Sequence, residues 1–431
     1  MALCFVGERR HMTPLPEVKA AAGTIEITWM AERIRAVVSR THSSRDGGGT
    51  AEIALYRIRE DGTMGHLEVC SLNLLSSPTK ASLAKKMEGI CNLEAMGTSW
   101  ATIIEQVAIL ALKHVREGDP LQTLSTASPA QPPSYLLEPL LQRGQHTVIF
   151  GLGGTGKSYL AMMLGITVAL PYPENHLGLW PGTTPTPVLY LDWETSYDAL
   201  QWRLHKIRAG MQLEDVNLHY RRCALPLAAD IEAVASAVIK TGAKLVIVDS
   251  LGPACDGSPL EAQVALDFFR SLRMLGNDVT SLIVAHTAKN GNDPKAEKTI
   301  FGSAFFTNAA RKVYELKGDP EAGDDTIQVA VFDRKSNDAA RAKPWGLTIA
   351  FEEDAVRFQR TEVAGMAQLS ENLSYPQRIA HHLKLHGKVS LDELVDGLGL
   401  DKKALAPALS VMKARGQVVK LGDCYAMAAI N

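Results

Sequence analysis

The sequence lacks several features that would assign it to a familiar class of protein. Its cysteines contain no Cys-x-x-Cys pair, which argues against a zinc site and a disulfide framework and indicates a reducing, cytoplasmic environment. The six cysteines are Cys4, Cys70, Cys91, Cys223, Cys255 and Cys424. The longest apolar run, residues 160–170, is too short to cross a membrane, and the N-terminus becomes charged too early for a signal peptide. The net charge of −2 shows no overall basic excess, so any binding to nucleic acid depends on local patches.

What the chain does contain is enough apolar material for large folded domains. Of its 431 residues, 46% are hydrophobic and 21% are charged, which favours two or three globular domains over a disordered chain. Residues 123–136 are rich in Ser, Thr and Pro and are typical of a linker, and 361–374 form a weaker boundary. We therefore expect domains at 1–122, 137–360 and 375–431.

The middle domain alternates short apolar stretches with pieces of helix length. The stretches predicted to be strands are "TVIF" (147–150), "PVLYLDW" (187–193), "KLVIVD" (244–249), "TSLIVAH" (280–286) and "TIQVAVFDR" (326–334). The first four end at polar residues, which is typical of a mainly parallel sheet covered by helices. The pattern predicts an α/β fold whose active groups lie outside the carboxyl ends of the strands.

The flanking domains are smaller. The N-terminal domain is predicted to be α+β, with strands at 24–29 and 51–58 and a helix over 99–118; its role is not predicted. Residues 375–431 predict three helices followed by a hairpin. That order resembles a winged helix-turn-helix.

The segment "GLGGTGKS" is a phosphate-binding loop by residue type and by context. It fits G-x4-G-K-[ST], with a strand before it and an apolar helix after it. The glycines allow backbone N–H groups to approach phosphate oxygens, and the helix directs its positive end to the same anion. Lys157 would reach the β- and γ-phosphates, and the Ser158 hydroxyl would hold magnesium. We expect ATP and Mg²⁺ as cofactors, with the nucleotide bound by Gly151, Leu152, Gly153, Gly154, Thr155, Gly156, Lys157, Ser158 and Tyr159.

Acidic residues follow two of the predicted strands. Asp249 ends a buried strand and is the predicted second magnesium ligand beside Ser158. The next residue is Ser250, so a carboxylate that activates water must come from elsewhere. Asp192 and Glu194 are predicted to share one face of the strand at 187–193, and either carboxylate could orient and deprotonate water. Both could equally be solvated acids at a strand end.

Several motifs together carry a family resemblance. They are "GLGGTGKS", "LYLDWETS", "LQWRL" (200–204), "LVIVDS", "VAHTAKN" and "FGSAFFTNAAR" (301–311). Residues 137–360 resemble a RecA-like P-loop NTPase core of the branch that contains the RepA-type hexameric plasmid helicases, with DnaB-type helicases as more distant relatives. The resemblance covers about half of the chain and leaves the N-terminal domain uncovered.

The resemblance implies roles that the residues alone leave open. It implies Glu194 as the catalytic base, with Asp192 as the second choice, and His286 as a polar sensor of the γ-phosphate. It also implies a homo-oligomeric ring, usually a hexamer, with ATP between subunits. A basic residue supplied across the interface would then be Arg334 or Lys335, with Arg311 as a third candidate.

Two polar segments are candidates for loops that contact single-stranded DNA. They are 252–262 and 287–303, the second of which carries Lys289, Lys295 and Lys298. The C-terminal domain adds basic residues, namely Lys402, Lys403, Lys413, Arg415 and Lys420. Three functions remain open: a replicative DNA helicase of a plasmid, phage or integrated element, a RecA-like recombinase or mediator, and an ATP-switched regulatory protein that moves no polymer.

Overall fold

The computed structural model divides the chain into two compact units. The first is formed mainly by residues before Gln131, and the second mainly by residues from Pro132 onwards. The residues described are 16–21, 24–43, 49–117, 121, 123, 125–127, 129, 132–287, 299–318, 325–363 and 373–428. The predicted DNA-contacting Lys289, Lys295 and Lys298 lie outside these ranges. Within these ranges, no helix combines the length and the apolar character needed to cross a membrane.

In its described residues, the first unit contains one antiparallel sheet, two α-helices and a short 3₁₀ helix, Glu94–Met96. Its elements are β1 (Glu17–Ala21), β2 (Thr24–Trp29), β3 (Ile34–Ser43), β4 (Gly49–Ile58), β5 (Met64–Asn73), α1 (Ser77–Ile90) and α2 (Trp100–Glu117). The five strands lie in chain order, β1-β2-β3-β4-β5. Alternate residues of β4 are buried, and α2 buries residues at helical spacing, so both elements contribute one apolar face to the core. Strands β1, β3 and β5 and helix α1 were not predicted from the sequence.

The second unit is built around a nine-stranded sheet. Its elements up to His286 are β6 (Tyr135–Glu138), β7 (Leu141–Gln142), β8 (His146–Gly151), α3 (Lys157–Ala169), β9 (Trp180–Pro181), β10 (Val188–Asp192), α4 (Tyr197–Gly210), β11 (His219–Arg222), α5 (Leu227–Thr241), β12 (Leu245–Asp249), α6 (Leu251–Ala254), α7 (Ala262–Met274) and β13 (Thr280–His286). The elements that follow are α8 (Ala304–Ala309), β14 (Lys312–Gly318), β15 (Thr326–Ser336), β16 (Trp345–Phe351) and β17 (Val356–Thr361).

The sheet is mostly parallel, as the alternation of strands and helices predicts. Its order is β11-β10-β12-β13-β8-β14-β15-β16-β17, and the first six strands in that order run parallel. The last three strands are joined by antiparallel pairings. Strands β8, β10 and β12 are buried along their whole length, which explains their continuous apolar character.

The register of the parallel strands brings their carboxyl ends to one edge. Asp192 at the end of β10 pairs with Asp249 at the end of β12. His286 at the end of β13 pairs with Gly151 at the end of β8. Four segments that are distant in sequence therefore meet where ligands bind in open α/β sheets.

The C-terminal part of the second unit has its own small core. Its elements are α9 (Tyr375–His386), β18 (Val389–Ser390), α10 (Leu391–Leu398), α11 (Lys402–Ala414), β19 (Val418–Leu421) and β20 (Cys424–Met427). The three strands form an antiparallel sheet in the order β18-β20-β19. The Ser390 and Asp401 side chains cap the starts of α10 and α11, and the core includes Ile379, Leu394 and Leu405.

Candidate active site

The loop between β8 and α3 depends on glycine for two different reasons. Gly156 has φ +73° at the start of α3, and a Cβ there would lie 2.6 Å from Ile349 Cδ1. A Cβ on Gly151 would lie 2.5 Å from the carbonyl oxygen of Leu316. At Gly153 and Gly154, by contrast, a Cβ would meet no atom of the described residues within 4 Å. Gly151 and Gly156 therefore pack closely against neighbouring residues, whereas Gly153 and Gly154 leave space in which an anion could approach the backbone N–H groups.

Lys157 directs its charge into this loop. Its ammonium group donates to the carbonyl oxygen of Leu152 at 2.6 Å, and the Thr155 hydroxyl donates to the same oxygen at 2.9 Å. Lys157 is only 6% exposed. Burial lowers the pKa of Lys157, whereas the charges of Asp249 and Glu194 act in the opposite direction. The ammonium group is therefore buried, close to two acids, and held by the loop that it would leave to meet a phosphate.

Asp249 has one carboxylate oxygen bound and one without a partner. The Tyr190 hydroxyl donates to Oδ2 at 2.5 Å, while Oδ1 is buried and has no hydrogen-bond partner within the described part of the chain. Burial raises the pKa of Asp249, and the side chains of Tyr190 and Ser158 oppose that rise. A buried carboxylate oxygen without a partner, close to a serine hydroxyl, fits a hard cation such as Mg²⁺. Ser158 and Asp249 would be the protein groups that hold it.

Asp192 and Glu194 do not share a strand face, which corrects the prediction. Strand β10 ends at Asp192, and Glu194 lies in the bend that follows. Asp192 is 1% exposed, and its Oδ1 accepts the backbone N–H groups of Glu194 at 3.0 Å and Thr195 at 3.1 Å. Its Oδ2 accepts the Tyr220 hydroxyl at 3.2 Å. Asp192 therefore holds the bend in shape, and its burial shields its carboxylate from solvent.

Glu194 lies beside two polar residues from the neighbouring strand ends. The Ser250 hydroxyl donates to its Oε1, and His286 Nε2 is 3.9 Å from the same oxygen. The side chains of Glu194 and His286 are 44% and 50% exposed. A carboxylate that is anchored at one oxygen and open to solvent is suited to orient and deprotonate a water molecule.

The predicted trans-acting residues are engaged within the chain. Arg334 binds Glu315 through Nε at 2.7 Å and Nη2 at 2.5 Å, and its guanidinium lies 4.8 Å from the Phe332 ring centre. The Lys335 ammonium donates to three carbonyl oxygens at the end of α8, at 2.7 to 3.0 Å. Arg311 is exposed, with Nε 3.3 Å from Gln145 Oε1.

Two of these residues, Arg311 and Lys335, lie towards the amino ends of the parallel strands, away from the loop. Strand β14 pairs Lys312 with Thr147, near the start of β8, and pairs the same residue with Ser336 of β15. Their end of the sheet is therefore opposite to the carboxyl ends that carry Asp249 and His286. Within one chain, Arg311 and Lys335 therefore lie away from the nucleotide site, whereas Arg334 binds Glu315, which pairs with Phe150 directly before the loop.

Sequence reasoning missed two residues that shape this site. Tyr190 lies in the apolar run of a predicted strand, yet its hydroxyl holds Asp249. Arg203 was quoted in "LQWRL", and its guanidinium lies 4.4 Å from the ring centre of Tyr159. The charge of Arg203 also lowers the pKa of Asp249. Its position on α4, nine residues after Glu194, could have indicated that Arg203 lies near the site.

Comparison with known proteins agrees with this geometry. The family model described as an AAA domain matches residues 112–292. That span includes the loop at 151–158, Glu194, Asp249 and His286. No curated protein matches the chain. The chain therefore contains a P-loop ATPase domain, which implies nucleotide binding and usually Mg²⁺; the match covers less than half of the 431 residues.

Proposed function

We propose that this protein is a DNA-stimulated ring ATPase, a hexameric replicative helicase of a plasmid, phage or integrated element, acting in the cytoplasm. One observation carries the proposal beyond ATP hydrolysis. The strand ends that carry Asp249 and His286 lead directly into two surface segments, and these segments are hydrogen-bonded to each other. Such a connection can convert a change at the nucleotide into a movement at the surface.

The connection consists of short backbone contacts. Beyond β13, Thr287 forms a bridge with Ile300, and the Phe301 N–H donates to the His286 carbonyl oxygen at 2.8 Å. The Ser303 N–H donates to the carbonyl oxygen of Pro259, in the segment after β12, at 2.7 Å. A shift at either strand end would therefore reach both segments.

The two segments and the adjoining start of α8 expose apolar side chains. Leu260 is 67% exposed, Phe301 is 44% exposed and Phe305 is 42% exposed. Exposed rings can stack on unpaired bases without regard to sequence. The lysines at 289, 295 and 298, in the connection that precedes Ile300, would supply charge for the phosphates.

The residues of the site would divide the chemistry among them. Lys157 would bind the phosphates, and Glu194 would take the proton from the attacking water. Mg²⁺, when bound, neutralises charge that develops on the phosphate oxygens. His286 would report the state of the γ-phosphate to the segment that begins at Thr287.

In a ring, the neighbouring subunit would supply a cation. Arg334 would first have to leave Glu315, and Lys335 would have to leave the end of α8. Arg311 requires no such loss, because it is exposed and makes one long hydrogen bond to a neutral side chain. We therefore place Arg311 ahead of the other two as the residue that acts in trans.

The C-terminal helices and strands form a winged-helix-like module in this proposal. Helix α11 would contact DNA or a protein partner through its basic residues. Lys402 already pairs with Asp392 at 2.5 Å, which leaves Lys403 and Lys413 on the same helix for such contacts.

One observation favours a second candidate, an ATP-switched regulatory protein. The segment 252–262 contains Asp256 and Glu261 and no lysine or arginine. An acidic segment repels a phosphate backbone and suits a protein partner better. This candidate predicts slow ATP turnover that does not respond to DNA.

ATP turnover with and without single-stranded DNA separates these functions, when combined with a strand-separation assay and particle images. The motor proposal expects DNA-stimulated turnover, separation of a forked duplex and closed rings. Turnover that ignores DNA would overturn it in favour of the regulatory protein. Filaments that exchange strands would overturn it in favour of a recombinase.

A further inference from the structure

Ser250 lies where the nucleotide-binding edge meets the first surface segment. It follows Asp249 directly, and it is 1% exposed. It is also the N-cap residue of α6, a position at which a serine hydroxyl usually accepts a backbone N–H of the first turn. Here the hydroxyl makes no capping bond and donates to Glu194 Oε1 instead.

Glu194 needs a partner of this kind because its backbone does not fix its carboxylate. The residue lies in a bend, and its side chain is 44% exposed and has several rotatable bonds. Its N–H is held by Asp192, but that contact fixes only the main chain. A buried hydroxyl at the rigid end of β12 can therefore hold Oε1 and leave proton transfer to Oε2.

We propose that Ser250 is a positioning residue that fixes the carboxylate of Glu194 for attack by water on the nucleotide. This inference rests on the proposed role of Glu194 as the base. A side chain that supports a catalytic group from outside the reacting atoms improves turnover without contributing to substrate binding.

The first test compares Ser250→Ala with Ser250→Thr in steady-state ATP turnover without DNA. Removing a hydrogen bond to a charged group should lower kcat by about tenfold and leave KM and the affinity for a non-hydrolysable ATP analogue unchanged. Ser250→Thr keeps the hydroxyl and should restore most of kcat. Ser271→Ala is the matched control, because it removes a buried hydroxyl that is bonded within α7 at 2.8 Å.

The second test repeats Ser250→Ala in a Glu194→Asp background. Aspartate is one methylene shorter and would not reach Ser250 as glutamate does, yet it keeps a carboxylate. If Ser250 acts through Glu194, the added substitution should lower kcat by less than about twofold. The same loss in both backgrounds would show that Ser250 acts on something else and would overturn the inference.

Other results would overturn it as clearly. These are unchanged kcat in Ser250→Ala, a parallel loss of analogue affinity, or a Thr variant as slow as the Ala variant. If Glu194→Asp keeps the full kcat, the base itself is wrongly assigned and the inference fails with it. Because DNA is absent throughout, a motor that fails to respond to DNA leaves the Ser250 result standing.

Discussion

At the scale of single residues, Asp249 shows how burial and charge are balanced at the nucleotide site. The residue is 3% exposed, and burial raises its pKa. The Tyr190 hydroxyl opposes this rise by donating to Oδ2, while Oδ1 has no hydrogen-bond partner among the residues that the structure describes. Tyr190 would therefore support Mg²⁺ binding through Asp249, the residue that would hold the cation.

Tyr190→Phe should weaken the magnesium dependence of nucleotide binding. Without the hydroxyl, the pKa of Asp249 rises further, and about tenfold more Mg²⁺ should be needed for half-maximal binding of an ATP analogue. The effect should increase as the pH falls. A magnesium titration at fixed analogue concentration measures it.

The control for this variant is Tyr172→Phe. Tyr172 is a half-buried tyrosine, and its hydroxyl lies 3.7 Å from Met163 Sδ. Its removal should leave the titration unchanged. Equal titration curves for Tyr190→Phe and the wild-type protein would contradict the role given to Tyr190.

Glu194→Gln should separate binding from hydrolysis. The amide keeps the size of the side chain and can still accept from Ser250, but it cannot take a proton from water. Turnover should fall by about 10²- to 10⁴-fold, with analogue affinity retained. ATP turnover and analogue binding, measured on one preparation, test this prediction.

Asp192→Asn should instead lower the free energy of unfolding, because Asp192 holds the bend.

At the scale of single elements, β8 carries a histidine whose protonation opposes folding. His146 is 7% exposed, and its Nδ1 lies 2.8 Å from Ser281 Oγ on β13. Burial lowers the pKa of His146 from 6.5 to about 4, and the charges of Arg273 and Arg311 act in the same direction. Burial in the folded strand therefore favours the neutral imidazole.

The free energy of unfolding should consequently fall on acidification. A folded-state pKa below the unfolded value adds stability above pH 6.5, and that stability is lost as the pH falls towards about 4. The loss should be on the order of 3 kcal/mol at the lower limit. Thermal unfolding from pH 7.5 to pH 4 measures it.

His146→Asn should flatten this pH dependence, because asparagine can still bond Ser281 but does not titrate. His205→Asn, at an exposed position of α4, is the matched control and should keep the wild-type slope. An equal slope in His146→Asn and the wild-type protein would show that other groups cause the acid sensitivity.

At the scale of the whole molecule, the two ends of the parallel strands have different roles in the ring proposal. Glu194, Asp249 and His286 lie at the carboxyl ends of the strands, and Arg311 is exposed at the opposite, amino end. One chain cannot bring both ends of its strands to the same nucleotide. Two neighbouring subunits could, and this explains why a complete site would require assembly.

Mixing two inactive variants tests that arrangement. Arg311→Ala subunits would still supply Glu194, and Glu194→Gln subunits would still supply Arg311. Mixed rings should therefore regain part of the ATP turnover, with a maximum near equal proportions. No recovery at any ratio, after exchange of subunits is verified, would mean that Arg311 does not act across an interface.

The sequence by itself determined the phosphate loop and the strands around it. Eight contiguous residues, 151–158, specify the loop, because glycine conformation and the following helix are local properties. Short apolar runs specify β8, β10, β12 and β13 for a similar reason. The same local patterns missed β14, β16 and β17, whose identity as strands depends on their partners in the sheet.

Only the tertiary structure decided which polar residues act together. Ser250 and Glu194 are 56 positions apart, and Arg334 and Glu315 are 19 apart, so no local pattern reveals either pair. Asp192 and Glu194 are two positions apart and look equivalent in the sequence. The end of β10 separates them: it buries Asp192 among three donors and turns Glu194 towards Ser250 and His286. Register and burial are properties of the folded sheet, and they determine which carboxylate can meet water.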